Sequence, residues 1–121
     1  MNILVIDDDK TMLATLQASI EIMGHNVSTA QTAEEAISKI VDKQKDLIIS
    51  DIMMPGISGL SLISVLRNVH LCSTPIILMS VLNNQSLLDA AIAAGANDFI
   101  PKPFTVEELK AKIKLYDVTI S

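Results

Sequence analysis

The sequence contains one cysteine, Cys72, among its 121 residues, so no internal disulfide can form. A signal peptide is missing as well, because Met1 to Ile6 run straight into Asp7 before an apolar leader core could develop. These two absences predict a cytoplasmic protein. Long hydrophobic runs are also lacking: the longest reach about four or five residues, where crossing a bilayer takes roughly 20. A soluble protein with no membrane association is expected. Basic residues are the minority, nine against fourteen acidic, and a net charge of -5 with a pI near 4.8 excludes a general attraction to nucleic acid or anionic lipid. Direct nucleic-acid binding is therefore not expected. No repeat, linker or low-complexity segment interrupts the chain. What remains is 50% hydrophobic and only 19% charged, a composition that buries a core instead of staying disordered. A mass of 13.1 kDa corresponds to a single domain over residues 1–121.

Short apolar runs alternate with longer stretches whose apolar positions recur at helical spacing. Ile3-Leu4-Val5-Ile6, Leu47-Ile48-Ile49 and Ile76-Ile77-Leu78-Met79 are continuous, as parallel strands covered on both faces require. Val27 to Ala30 and Asp98 to Ile100 are shorter and suit outer strands. Leu13, Leu16, Ile20 and Met23 share one helical face, and Gly24 supplies a left-handed stop, so the first helix should end near Met23. Thr32 to Glu35 and Thr105 to Glu108 each place Thr three residues before Glu, the reciprocal cap of a helix start. The second helix continues through Ala36, Ile37, Ile40 and Val41, and the last through Leu109, Ile113 and Tyr116. Helices from about Gly59 to Val69 and from about Leu87 to Ala94, the latter ending at Gly95, complete the set. Five strands and five helices of ordinary length occupy roughly 80 positions and leave short connections. Right-handed crossovers then give an α/β, doubly wound parallel sheet.

Ligands of such sheets bind beyond the carboxyl ends of the strands, where strand order reverses. The first strand runs into Asp7, Asp8 and Asp9, the third into Ser50 and Asp51, the fourth into Ser80, and Lys102 follows the fifth. All these side chains converge on one edge. The segments that carry them are Ile3-Leu4-Val5-Ile6-Asp7-Asp8-Asp9, Asp51-Ile52-Met53-Met54-Pro55-Gly56, Ile77-Leu78-Met79-Ser80 and Gly95-Ala96-Asn97-Asp98-Phe99-Ile100-Pro101-Lys102-Pro103-Phe104. Together they resemble the receiver domain of two-component response regulators over essentially the whole chain. Each motif alone is weak; four in order, each at a strand end, form a specific signal.

The resemblance implies a flavodoxin-like strand order, 2-1-3-4-5, flanked by five helices. It implies that Asp51 takes a phosphoryl group from a phosphohistidine on a partner histidine kinase or phosphotransfer protein. It implies a Mg²⁺ site in which Asp8 binds directly, Asp7 binds through water, and Asp51 and the backbone carbonyl of Met53 complete the protein's share. Three aspartates in a row leave that register open by one, with Asp9 as the alternative. Lys102 would pair with a phosphoryl oxygen, and a cis bond would precede Pro103. Ser80 would move to the new phosphoryl group while Phe99 turns inward behind it. The last two helices and fifth strand would then meet a downstream target, a fused output domain or, after phosphorylation, a second copy. The domain would catalyse only its own phosphorylation and its slow reversal. It would either act alone or form part of a longer regulator, since Ser121 lies soon after the last helix.

Elementary chemistry agrees with these roles. A carboxylate is a mild nucleophile whose acyl phosphate is labile enough for a reversible signal. Three clustered carboxylates repel each other and an incoming phosphate, and Mg²⁺ suits an all-oxygen site that keeps several waters. Phosphoryl transfer chiefly needs positioning and charge stabilisation, which Mg²⁺ and Lys102 would supply. Four positions depart from the common family pattern. Val81 is bulkier than the usual Ala or Gly after the switch hydroxyl, Met53 and Leu82 cannot hydrogen-bond an attacking water, and Phe99 lacks a tyrosine hydroxyl. Slow self-dephosphorylation follows as an expectation.

Plainer readings exist for each residue. Asp7, Asp8 and Asp9 suit a helix N-terminus, but capping needs one Asp and not three. Asp51 suits a loop before the Met54-Pro55-Gly56 turn, Ser80 a strand end, Lys102 a solvated loop, and Phe99 the core. His25 and His70 read as surface residues, Cys72 as a structural thiol, and the methionines as packing. A flavin-binding module would need a phosphate-cradling Ser/Thr/Gly loop where Asp7 to Asp9 stand. An aspartate-nucleophile phosphatase would need an acid at Met53. A degenerate receiver, used only for phosphorylation-independent docking, is the remaining alternative.

Overall fold

A computed structural model describes residues 1–54, 56–82 and 84–117. Pro55 of the expected turn and the chain end at Ser121 lie outside the described residues. Strands and helices alternate as β1 (Asn2–Ile6), α1 (Lys10–Ile22), β2 (Asn26–Ala30), α2 (Ala33–Asp42), β3 (Leu47–Asp51), α3 (Gly59–Asn68), β4 (Ile76–Ser80), α4 (Gln85–Ala94), β5 (Asp98–Pro101) and α5 (Val106–Tyr116). The five strands form one parallel sheet in the order β2-β1-β3-β4-β5.

Successive side chains of a strand point to opposite faces, so each continuous apolar run feeds two cores. Leu4, Ile6, Ile48, Ile76 and Leu78 face one layer with Leu62, Ile63 and Leu66 of α3. Ile3, Val5, Leu47, Ile49, Ile77 and Met79 face the other with Leu13, Leu16 and Ile20 of α1 and Leu109 and Ile113 of α5. All five residues of β3 and of β4 are buried, whereas the polar outer strand β2 buries only Ala30. Burying five consecutive side chains leaves the strand end as the first place where a polar group can meet solvent, which puts the chemistry there.

Helix boundaries follow their caps. Gly24, at φ +96°, ends α1 after Met23 as the left-handed stop requires. α4 begins two residues before the expected Leu87, because Asn84 Oδ1 accepts the Leu87 N–H at 2.9 Å. The reciprocal cap is complete only at Thr105 and Glu108. At α2, Thr32 accepts the Glu35 N–H, but the Glu35 carboxylate turns to the Gln31 N–H at 3.3 Å and to Lys39 at 3.7 Å. Val41, expected on the packed face of α2, is exposed, and Ala33 and Ala36 do the burying. α4 is the most lightly held helix: Ala91 alone is buried.

Candidate functional site

β1 sits between β2 and β3, so the chain leaves it on one side for α1 and returns on the other as β3. The crevice at this reversal is bounded by the residues that follow β1, end β3 and follow β5. Asp7 is 1% exposed, held by its N–H on the Ala30 carbonyl at 3.0 Å, and its Oδ1 accepts the Asp9 N–H at 3.0 Å. Asp51 closes β3 and is 8% exposed. Asp8 stands beside them in solvent, and one carboxylate oxygen from each of Asp7, Asp8 and Asp51 lies within 4.8 Å of the other two.

Asp9 takes a different part. Its Oδ1 accepts the N–H groups of Thr11 at 2.9 Å and Met12 at 3.3 Å, capping α1. The gathered carboxylates are thus those of Asp7, Asp8 and Asp51, while the Asp9 carboxylate is committed to two helix N–H groups.

Lys102 reaches the same crevice. Its Nζ lies 3.1 Å from Asp7 Oδ2 and 3.4 Å from Asp51 Oδ2. Its N–H donates to the Ser80 carbonyl at 2.8 Å, and the Lys102–Pro103 peptide is cis, as expected. One ammonium against three carboxylates leaves the pocket formally at minus two. Burial pushes the Asp51 carboxyl above its ordinary value; the Met53 N–H, 3.2 Å from Oδ1, pulls it back, Asp7 adds to the rise and Lys102 opposes it. An all-oxygen, net-negative cluster suits Mg²⁺ by donor type, and the carboxylates of Asp7, Asp8 and Asp51 are the groups that could hold it.

Ser80 is fully buried at the end of β4, and its Oγ accepts the Leu82 N–H at 2.9 Å. Phe99 is 8% exposed and packs in the layer that holds Leu78, Ala91 and Ala96. The ring expected to turn inward is therefore already inward. Met53, Val81 and Leu82, in the segments that follow Asp51 and Ser80, are exposed by 60%, 68% and 47%.

Of the remaining sequence expectations, His70 is exposed, while His25 is half-buried with Nδ1 2.9 Å from the N-terminal ammonium. Cys72 is half-buried and packs against the core. Three features escaped the sequence reading. Gly59 abuts the backbone of Asp51, Arg67 binds a ring of backbone carbonyls, and Asp98 is gripped by Lys112 and Tyr116. Only Gly59 carried a signal, a glycine where a helix should begin.

A doubly wound sheet with a carboxylate cluster and one lysine at its switch point does not suit a nucleotide binder, whose phosphates these charges would repel. The response regulator receiver domain family model matches residues 3–114. The chain belongs to that family. It is 35% identical over 114 residues to the response regulator MprA of Mycobacterium sp. (strain KMS), covering 94% of this chain and 49% of that protein. The MprA of Mycobacterium leprae (strain TN) is 34% identical, with 94% and 50% covered. The chain thus spans about half the length of these curated relatives. Among solved structures, a two-component response regulator from Clostridium difficile superposes with TM-score 0.90 at 34% identity, covering 96% of this chain and 94% of that one. Chemotaxis protein CheY4 of Vibrio cholerae gives TM-score 0.90 at 26% identity, with 95% and 97% covered.

Proposed function

We propose that this receiver domain is a phosphorylation-dependent switch of two-component signalling, with Asp51 as the phosphoryl acceptor. The observation that carries the reading is the meeting of Asp7, Asp8 and Asp51 with Lys102 in one crevice. An Asp51 oxygen attacks the phosphorus of a phosphohistidine on a kinase or phosphotransfer protein. The new O–P bond forms as the P–N bond breaks, and the imidazole leaves. Bound Mg²⁺ would supply the charge that brings three carboxylates and Lys102 to formal neutrality. Lys102 is placed to stabilise charge on the moving phosphoryl oxygens, and the Met53 N–H orients the acceptor.

The switch begins at Ser80. Its oxygen accepts the Leu82 N–H, which leaves its own hydrogen to donate to a phosphoryl oxygen on Asp51, and that bond draws residues 80–82 toward the site. With Phe99 already inward, this loop and the α4 that follows are what remains to respond. The output surface is α4, β5 and α5, presented to a target protein, a fused output domain or a second copy, in the cytoplasm. The apolar Met53 and Leu82 hold no water in line, so the phosphoryl group is lost slowly; Met53→Asn should shorten its half-life. A docking module without phosphorylation is the second reading, favoured only by the inward Phe99.

Incubation with acetyl phosphate and MgCl₂ tests the proposal. A mass increase of about 80 Da is expected on the wild type and none on Asp51→Asn. An unmodified wild type, or an equally modified variant, rejects the acceptor. Ser80→Ala should keep the adduct while losing the phosphate-dependent amide shifts of α4.

A further inference from the structure

Gly59 is buried in the first turn of α3, and its φ lies outside the left-handed region. Alanine is the better helix former at such a position. Its backbone conformation does not call for glycine; the space around it does. A methyl group on its Cα would stand 2.6 Å from the Asp51 carbonyl oxygen and 2.8 Å from Ile52 Cα, well inside the optimum of about 3.5–4 Å for non-bonded carbon. Both neighbours are backbone, so relief requires the end of β3 or the whole of α3 to move. At the same point the Gly59 N–H donates to the Ile52 carbonyl at 2.8 Å. This bond ties the start of α3 to Ile52, the neighbour of the Met53 N–H that holds Asp51 Oδ1.

We propose that Gly59 is a positioning residue for the acceptor, resting on the reading of Asp51 given above. Its missing side chain lets α3 seat against the Asp51 peptide, and that contact sets where the Asp51 carboxylate and the Met53 carbonyl stand relative to Asp7 and Asp8. Gly24 provides the contrast: its φ of +96° demands glycine, yet an added Cβ would meet nothing within 4 Å. Gly24→Ala therefore strains the backbone at the far end of α1 and leaves the crevice alone.

The test compares wild type, Gly59→Ala and Gly24→Ala by thermal midpoint, by MgCl₂ titration followed through amide shifts, and by the Met53 amide shift without metal. Each variant should lose about 5 °C. Gly59→Ala alone should weaken Mg²⁺ binding by about 10- to 100-fold and displace the Met53 amide. Wild-type Mg²⁺ affinity in Gly59→Ala, or equal weakening in Gly24→Ala, overturns the proposal. Should Gly59→Ala fail to fold, Ser58→Ala loosens the same turn without adding an atom; weaker Mg²⁺ binding then supports the proposal and unchanged binding overturns it. A wild type that binds no Mg²⁺ sinks the acceptor reading instead, and the Met53 amide shift still decides whether Gly59 positions the Met53 N–H.

Discussion

The two ends of the sheet treat their polar groups in opposite ways. Where β4 and β5 begin, Arg67 at the end of α3 donates to the carbonyls of Cys72 at 2.8 Å, Thr74 at 2.7 Å and Gly95 at 2.9 Å. It also donates to Asn97 Oδ1 at 2.9 Å, which in turn accepts the Ile76 N–H. Next to it, Asp98 accepts from Lys112 at 2.8 Å and from the Tyr116 hydroxyl at 3.2 Å. Every charge here has matching partners. Where β1 and β3 end, three carboxylates share one ammonium, and burial raises the Asp51 carboxyl above its ordinary value. One end is built for stability, and the other keeps a charge imbalance, the pattern expected when local consistency is broken for function.

The contrast can be broken by mutation, and Arg67 should give the largest effect. Arg67→Met strands the carbonyls of Cys72, Thr74 and Gly95 and should cost about 3 kcal/mol in urea unfolding. A loss below about 1 kcal/mol would show that water replaces the guanidinium there. At the other end, Asp51→Asn should stabilise the metal-free protein by roughly 1 kcal/mol at neutral pH, because it removes a buried charge from beside Asp7. The sign follows from the raised carboxyl: the folded state binds that proton more tightly than the unfolded chain, so stability falls as pH climbs above 3.8. Unfolding measured across that window should show the fall in wild type and a flatter profile in the variant; parallel profiles would remove the imbalance from the comparison. The smallest effect belongs to Tyr116→Phe, about 0.5–1 kcal/mol for a partly exposed hydrogen bond to Asp98. Burial and Asp98 raise the Tyr116 hydroxyl, so the wild type should lose stability above pH 10.0, and the variant should lack this alkaline step in the same measurement.

The site end was the more legible in sequence, for a physical reason. Asp7, Asp51 and Ser80 each follow an apolar run that only a doubly covered strand explains, so their positions along the chain placed them at one edge. The division of labour between Asp8 and Asp9 was not legible, since it depends on which carboxylate reaches the N–H groups of α1. The Arg67 end was invisible because its partners are backbone carbonyls, which every residue carries. Glu35 illustrates the same limit: the Thr-to-Glu spacing permits a reciprocal cap, but Gln31 and Lys39 compete for the carboxylate. Gly59 lay between these cases, visible as a helix start but not as a close approach between backbones.

The sparse burial of α4 carries one last consequence. A helix anchored through Ala91, with its Gly95 carbonyl tied to Arg67, has little free energy opposing local unfolding at its opposite end, which adjoins Ser80. Its amide hydrogens should exchange with solvent orders of magnitude sooner than those of β3, whose five residues are all enclosed. On the proposed function, a group added at Asp51 meets, as its first neighbour downstream, the helix that buries least among the described residues.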